Sequence, residues 1–484
     1  MNIKEAKQEI EHTVKAYLLK DENGKYVIPS IRQRPILLMG PPGIGKTQIM
    51  EQIAKEEGIG LVAYTITHHT RQSAVGLPYI KEEEFDGKTY SVTEYTLSEI
   101  IASVHQERKR SGKKEGILFI DEINCVSETL APTMLQFLQC KQFGNQSVPE
   151  GWIIVAAGNP PEYNKSVREF DMVTLDRVRC IPVEADYGVW KEYAYEQKVH
   201  PALLSYLELR PNNFYRVEAD VDGLEFVTAR GWEDFSNLLT AYQKLDIAVD
   251  EEIVYQFLRH HDVAEDVAAY LELYQKYKDD YGIPLILQGR VKREVYQRLV
   301  TAGFDERFSV VSLLLDGLMG YFTDYVEEKE VTDQWFAFLK EYKQRLEMIS
   351  DGKKAYEVLL EEKRQEALYP KWKAWTPEHT GSAKESFSYA RKGFEEQRNQ
   401  LAAKEKEANE ALACAFRFME EAFQEGQEMV IFVTELSLHK ESAQYLAQHY
   451  NEKYAMYNQE LLIGDKRREL LAEIEDVANQ GSLR

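Results

Sequence analysis

From Arg34 to about residue 182 the chain alternates short, unbroken apolar runs with amphipathic stretches. The runs fall at residues 36–39, 61–67, 117–120, 153–157 and 180–183. A strand buried on both faces reads as a continuous apolar run, and strands separated by helices pair in parallel. The pattern predicts an α/β domain over residues 30–186: a five-stranded parallel sheet with helices on both faces. Ligand should then lie at the carboxyl ends of the strands. Two interruptions read as hairpin insertions. Near 73–97, Asp86-Gly87 precedes the alternating run at 89–95, and near 140–150, Gly144-Asn145 separates Gln142-Phe143 from Ser147-Val148.

Outside this domain the period changes. Ile3, Ala6, Ile10, Val14, Ala16 and Leu18 form a helical stripe that Asp21-Glu22-Asn23-Gly24 ends, predicting an N-terminal helix within residues 1–29. Beyond Asp186 strand signals fade. Residues 187–300 read as a helical lid, and 301–484 as an all-helical region rich in Glu, Lys and Gln. The Pro- and Trp-containing segment 369–377 reads as a hinge or elbow between helical arms. No repeat of solenoid period is visible.

The first apolar run leads straight into Gly40, Pro41, Pro42, Gly43, Ile44, Gly45, Lys46 and Thr47. This is a phosphate-binding loop in its expected context, between a strand and a helix. Backbone N–H groups wrap a triphosphate only where side chains do not intervene, so the glycines give close approach. Lys46 supplies a charge for the β- and γ-phosphates, Thr47 a hydroxyl for Mg²⁺, and the following helix its unpaired N–H groups. The third run ends in Asp121-Glu122. Adjacent carboxylates at a strand end point apart, so they take different work. Asp121 is assigned to Mg²⁺ with Thr47, and Glu122 to polarising the attacking water. The fourth run closes on Gly158-Asn159-Pro160-Pro161, which puts Asn159 at the same sheet edge, able to orient that water.

Composition narrows the class. A chain of 484 residues, 44 % apolar and 29 % charged, implies a globular, soluble protein of two or three domains. No run is long and apolar enough to span a membrane, and no secretory signal is expected from the N-terminus. Four scattered cysteines without C-x-x-C spacing read as reduced thiols in a cytoplasmic protein. The net charge of −22 would repel phosphates on average, making a nucleic-acid partner unfavourable. The pairs His68-His69 and His260-His261 lack metal-ligand spacing, and Cys125 reads as a packed thiol.

Together these motifs resemble those of the AAA+ ATPases, and within them the MoxR-like branch related to dynein and midasin. The resemblance covers residues 30 to roughly 240. Residues 40–47 are similar to Walker A, 119–124 to Walker B, and 158–160 to sensor 1. Leu175-Asp176-Arg177-Val178 resembles the family's Leu-Asp-Arg-Phe, whose arginine reaches a neighbouring subunit's nucleotide. The resemblance implies that Arg177 is a finger acting in trans, with Arg168 and Arg179 as runners-up. Thr228-Ala229-Arg230 resembles sensor 2, with Ala229 in place of a proline, implying a lid role for Arg230. The hairpins sit where this branch carries insertions facing the pore or substrate side.

What the resemblance implies is an ATP- and Mg²⁺-dependent ring, hexameric by expectation. It would remodel protein complexes with a von Willebrand factor A-domain partner, docked through the helical region after residue 300. Two rivals belong to other classes. An ATP-switched interaction protein would have no use for Glu122, and a nucleic-acid motor would bind DNA with steep salt dependence.

Overall fold

The computed structural model describes residues 1–459 and 461, apart from 69, 164–166, 168, 221–222, 378–381 and 425. His69 and Arg168 therefore lie outside the described residues. The strands are β1 (Ile36–Met39), β2 (Gly60–Thr65), β3 (Pro78–Phe85), β4 (Lys88–Tyr95), β5 (Gly116–Asp121), β6 (Gln142–Phe143), β7 (Gln146–Ser147), β8 (Trp152–Gly158), β9 (Arg179–Pro182), β10 (Arg216–Asp220) and β11 (Gly223–Val227). All five apolar runs become strands of one parallel sheet in the order β2-β5-β8-β1-β9. The second run is shorter than its apolar span, because residues 66–68 turn into a 3-10 helix.

Period-two alternation divides the sheet's side chains between two cores. Leu37, Leu118, Ile120, Ile154 and Ala156 pack with residues of the helices Glu99–Ser111 and Ala131–Cys140. Ile36, Leu38, Ile117, Phe119, Ile153 and Val155 pack with residues of the helices Ile3–Leu18 and Lys46–Glu56. The N-terminal helix is thus part of this core through Ala6, Ile10 and Val14. Asn2 and Glu5 start it with a reciprocal capping box. Register places Met39 beside both Gly158 and Pro182, and Ile120 beside Ala156. The carboxyl ends of β5, β8 and β1 consequently form one edge.

Both expected insertions are antiparallel hairpins, β3–β4 and β6–β7. In the first, Asp86 and Gly87 both take positive φ (51° and 75°), matching the right-handed twist of the strands they join.

The chain divides into two compact units, one of Met1–Ala194 with Arg210–Ala268, the other of Tyr195–Leu209 with the residues from Ala269 onward. In the first, the region expected to be helical contains the antiparallel hairpin β10–β11. The strand signal was there as the alternation Arg216-Val217-Glu218, hidden because helices flank so short a hairpin. Among its described residues the second unit is helical. Its long helices Phe304–Leu346 and Ala383–Phe423 bury aromatic residues such as Trp335, Phe338 and Phe416. Of the two readings of this segment, hinge or elbow, the packing fits the elbow: it forms the short helix Tyr369–Ala374 between the helices Gly352–Glu362 and Ala383–Phe423. Trp372 stacks on Phe338 at 4.5 Å, and Tyr356 donates to its carbonyl at 2.6 Å. A tryptophan offers too much apolar surface to be left in a solvated joint. Among the described residues no helix is long and apolar enough to cross a membrane.

Candidate nucleotide site

β1 delivers the chain into the glycine-rich loop at the shared edge. The Gly40 N–H donates to Gly158 O at 3.3 Å, and a Cβ on Gly40 would meet Val183 O at 2.6 Å. Gly43 and Gly45 hold φ of 75° and 90°, a left-handed backbone that L side chains resist. Gly45 is also the N-cap of the helix Lys46–Glu56, whose first-turn N–H groups open towards the loop. Ile44 is buried, anchoring the loop's middle, while Pro41 and Pro42 carry carbonyls that other residues use.

Lys46 is buried. Its ammonium donates to Gly40 O, Pro41 O and Asn159 Oδ1, each at 2.8 Å. Thr47 Oγ1 donates to Asp121 Oδ2 at 3.1 Å. The Glu122 N–H donates to the other Asp121 oxygen at 2.9 Å. Glu122 itself takes φ of 57°, an unusual conformation for a residue with a Cβ and one found chiefly at functional sites. That turn sends the two acids in different directions and folds the chain back on β8, where the Ile123 N–H reaches Ala157 O at 2.9 Å. Two hydrogen-bonded pairs, Lys46 with Asn159 and Thr47 with Asp121, are thus set side by side by consecutive residues of the loop-to-helix junction, with Glu122 next in the chain after Asp121.

The donor set fits a magnesium nucleotide. A hydroxyl and one carboxylate at hydrogen-bond distance suit Mg²⁺, which takes few protein ligands and completes its shell with water and phosphate. Among the described residues no cluster of three His, Cys, Asp or Glu could hold a metal alone. His260 is buried, 3.3 Å from Glu225 and 3.5 Å from Glu218.

The segments flanking the β10–β11 hairpin meet the loop from two sides. Before β10, the Tyr215 hydroxyl donates to Pro42 O at 3.1 Å. After β11, Thr228 caps the helix Ala229–Lys244 and lies so near the loop that a Cβ on Gly43 would meet its own Cβ at 3.1 Å. Arg230 follows in the first turn, with its Cβ 3.5 Å from the same point. Gln48, just past Thr47, donates to the Tyr193 hydroxyl at 3.0 Å, which donates to Glu233 of the helix Ala229–Lys244 at 3.1 Å.

Burial pulls the Lys46 ammonium down to about 8; Asp121 and Glu122 resist the fall and Arg230 adds to it. A phosphate anion favours the charged form, so nucleotide binding takes up a proton wherever free Lys46 is neutral. ATP affinity is therefore expected to weaken as pH rises through about 8. Calorimetry in buffers of different ionisation enthalpy should show proton uptake above that pH and progressively less below it. Equal affinity and no uptake on both sides would contradict the role given to Lys46.

The arginines separate clearly. Arg177 is exposed, and Nη1 donates to Gln139 Oε1 at 2.5 Å. Gln139 belongs to the helix Ala131–Cys140, which packs on the sheet face opposite the Lys46–Glu56 helix. Arg177 is therefore not among the residues paired around its own phosphate loop. Arg179, a runner-up, is engaged within its own chain, where Thr13 and Glu9 of the N-terminal helix accept from its guanidinium. Val178, which departs from the family's Phe, is buried in the core with that same helix face.

Two residues escaped the sequence reading. Tyr215 carries no local signal, since only tertiary structure brings it to Pro42. Asn124 lay within the stretch 119–124 likened to Walker B but was given no role; it is buried and pairs with the backbone of Asn159.

Comparison with known proteins agrees with this geometry at the level of the domain. Residues 36–175 match the family model described as "ATPase family associated with various cellular activities (AAA)". No curated protein matches the chain. Among solved structures, a "putative ATPase" from Cytophaga hutchinsonii ATCC 33406 is 18 % identical, with a TM-score of 0.22, over 37 % of this chain. The match spans about half the length of that protein, 50 %. With the motifs, the strand order and the family match in agreement, residues 36–175 are an AAA ATPase-family domain.

Proposed function

We propose that the chain hydrolyses ATP as a MoxR-like AAA+ protein, forming a ring that remodels protein complexes in the cytoplasm. The observation that carries the reading is the pair of contacts at one sheet edge, Lys46 to Asn159 and Thr47 to Asp121. Glu122 polarises the water and takes its proton. Asn159 orients that water, and Lys46 stabilises charge developing on the phosphates. Thr47 and Asp121 would hold Mg²⁺, which when bound supplies further positive charge to the phosphate oxygens. Arg230 reports nucleotide state to the lid.

Ring formation gains support from the surface around Arg177. Met172, Val173 and Leu175, just upstream, are 82 %, 53 % and 40 % exposed. An exposed apolar group beside an arginine has the make-up of an interface core with a charged anchor. Its occupant in this reading is the nucleotide site of a second copy, completed by Arg177. The von Willebrand factor A-domain partner and docking through the helical second unit follow from the family resemblance alone. Light scattering on the purified chain should show a ring-sized assembly that Mg-ATP strengthens, and tagged protein should bring down such a partner from its native host. A monomer at every concentration with nucleotide present would contradict the ring.

A further inference from the structure

We infer that Asn124 is a positioning residue for phosphate cleavage: it fixes the backbone of Asn159, and through it the amide that meets Lys46. The inference rests on the ATPase reading above and adds to it a residue that carries no assigned role.

The Asn124 side chain is 2 % exposed and turned wholly to its neighbour across the sheet. Its Nδ2 donates to Asn159 O at 2.7 Å, and its Oδ1 accepts from the Asn159 N–H at 3.3 Å. A single amide thus satisfies both backbone groups of one residue, as a paired strand would. Loop backbone just beyond a strand end has no ladder partner of its own, so its direction depends on such contacts. The fit is close. A Cβ on Gly158 would lie 2.7 Å from Asn124 Oδ1, so glycine is needed there for the amide to approach.

Asn124 is itself held firmly. The left-handed turn at Glu122, the bond from the Cys125 N–H to Glu122 O at 2.8 Å, and that from the Ile123 N–H to Ala157 O at 2.9 Å tie residues 122–125 to β8. The turn bearing Glu122 and the loop bearing Asn159 therefore move as one piece. Both residues act on the attacking water, and a misplacement of about 1 Å costs roughly 100-fold in rate. Asn124 sets their spacing without touching substrate. Asparagine suits this task because it has a donor at one end and an acceptor at the other. Aspartate keeps the shape but loses the donor.

A purely structural role predicts something different, and a double-mutant cycle separates the two. The full-length chain is prepared as wild type, Asn124→Ala, Asn124→Asp, Asn159→Ala, and each Asn124 change combined with Asn159→Ala. Phosphate release gives kcat and KM, a fluorescent ATP analogue gives affinity, and thermal unfolding reports the fold. Each Asn124 change should lower kcat by roughly 10- to 100-fold while affinity stays within about threefold. In the Asn159→Ala background the same change should cost about threefold or less, because the residue it positions is gone. Equal losses in both backgrounds would overturn the inference, as would an unaltered kcat or a loss confined to affinity and thermal stability. The isosteric Asn124→Asp keeps the test decisive should Asn124→Ala fail to fold. Absence of turnover in the wild type would overturn the ATPase reading itself, whereas additive losses in an active enzyme overturn only the role of Asn124.

Discussion

Glu122→Gln is expected to lower ATP turnover by roughly 10²–10⁴-fold, the usual contribution of a positioned general base. Glutamine matches glutamate in shape and keeps a polar group at the turn, but it cannot take a proton from water. The Glu122 N–H bond to Asp121 is made by the backbone and survives the change. Lys46, Thr47 and Asp121 are untouched, so ATP should still bind with about the same affinity. Phosphate release and equilibrium binding of labelled nucleotide, measured on the same preparation, check both halves. The variant also separates a remodeller from an ATP-controlled switch. A remodeller loses its effect on clients along with turnover, whereas a switch keeps it. Substantial turnover in Glu122→Gln would remove the carboxylate from the mechanism.

Arg177→Ala is expected to cost roughly 10³–10⁵ in turnover, the range for an arginine finger that stabilises transition-state charge. The structure gives this prediction a distinctive form. Arg177 is exposed and bonded to Gln139, not to the group around its own phosphate loop, so the deficit should be repairable by a neighbour. Chains carrying Lys46→Ala have a defective phosphate loop and an intact Arg177; chains carrying Arg177→Ala have the reverse. Each is expected to be nearly inactive alone, and mixing them should restore turnover at sites where an intact loop meets an intact arginine. Arg179→Ala serves as the control. Its guanidinium is tied to Glu9 and Thr13, so its loss loosens the N-terminal helix and leaves the chemistry in place. Failure of the mixture to regain activity, with mixed assemblies demonstrated, would mean that Arg177 does not act across an interface.

Much of the candidate site was legible because its signals are local. Short apolar runs that alternate with amphipathic stretches read as strands buried on both faces; Asp121, Glu122 and Asn159 lie at or just past the ends of such runs, and Lys46 in the loop that follows the first. Lys46, Asp121, Glu122 and Asn159 could thus be placed at one edge before any distance was known. What sequence could not convey was how the edge is held together. The left-handed conformation of Glu122 answers to the bond between Ile123 and Ala157, and Asn124 answers to the backbone of a residue on another strand. Tyr215 and Thr228 reach the phosphate loop only once β10 and β11 have paired. That hairpin was missed because five-residue strands among helices give too few alternations to outweigh their surroundings. In the helical second unit the aromatic residues that looked like a hinge or elbow became core, since spacing alone does not say which side chains a third helix will cover.

The most direct test is a titration of the purified full-length chain with Mg-ATP, following bound nucleotide and released phosphate together. ATP is expected to bind and be cleaved, with Lys46→Ala abolishing both. A well-folded, assembled chain that neither retains ATP nor releases phosphate at saturating nucleotide would contradict the account.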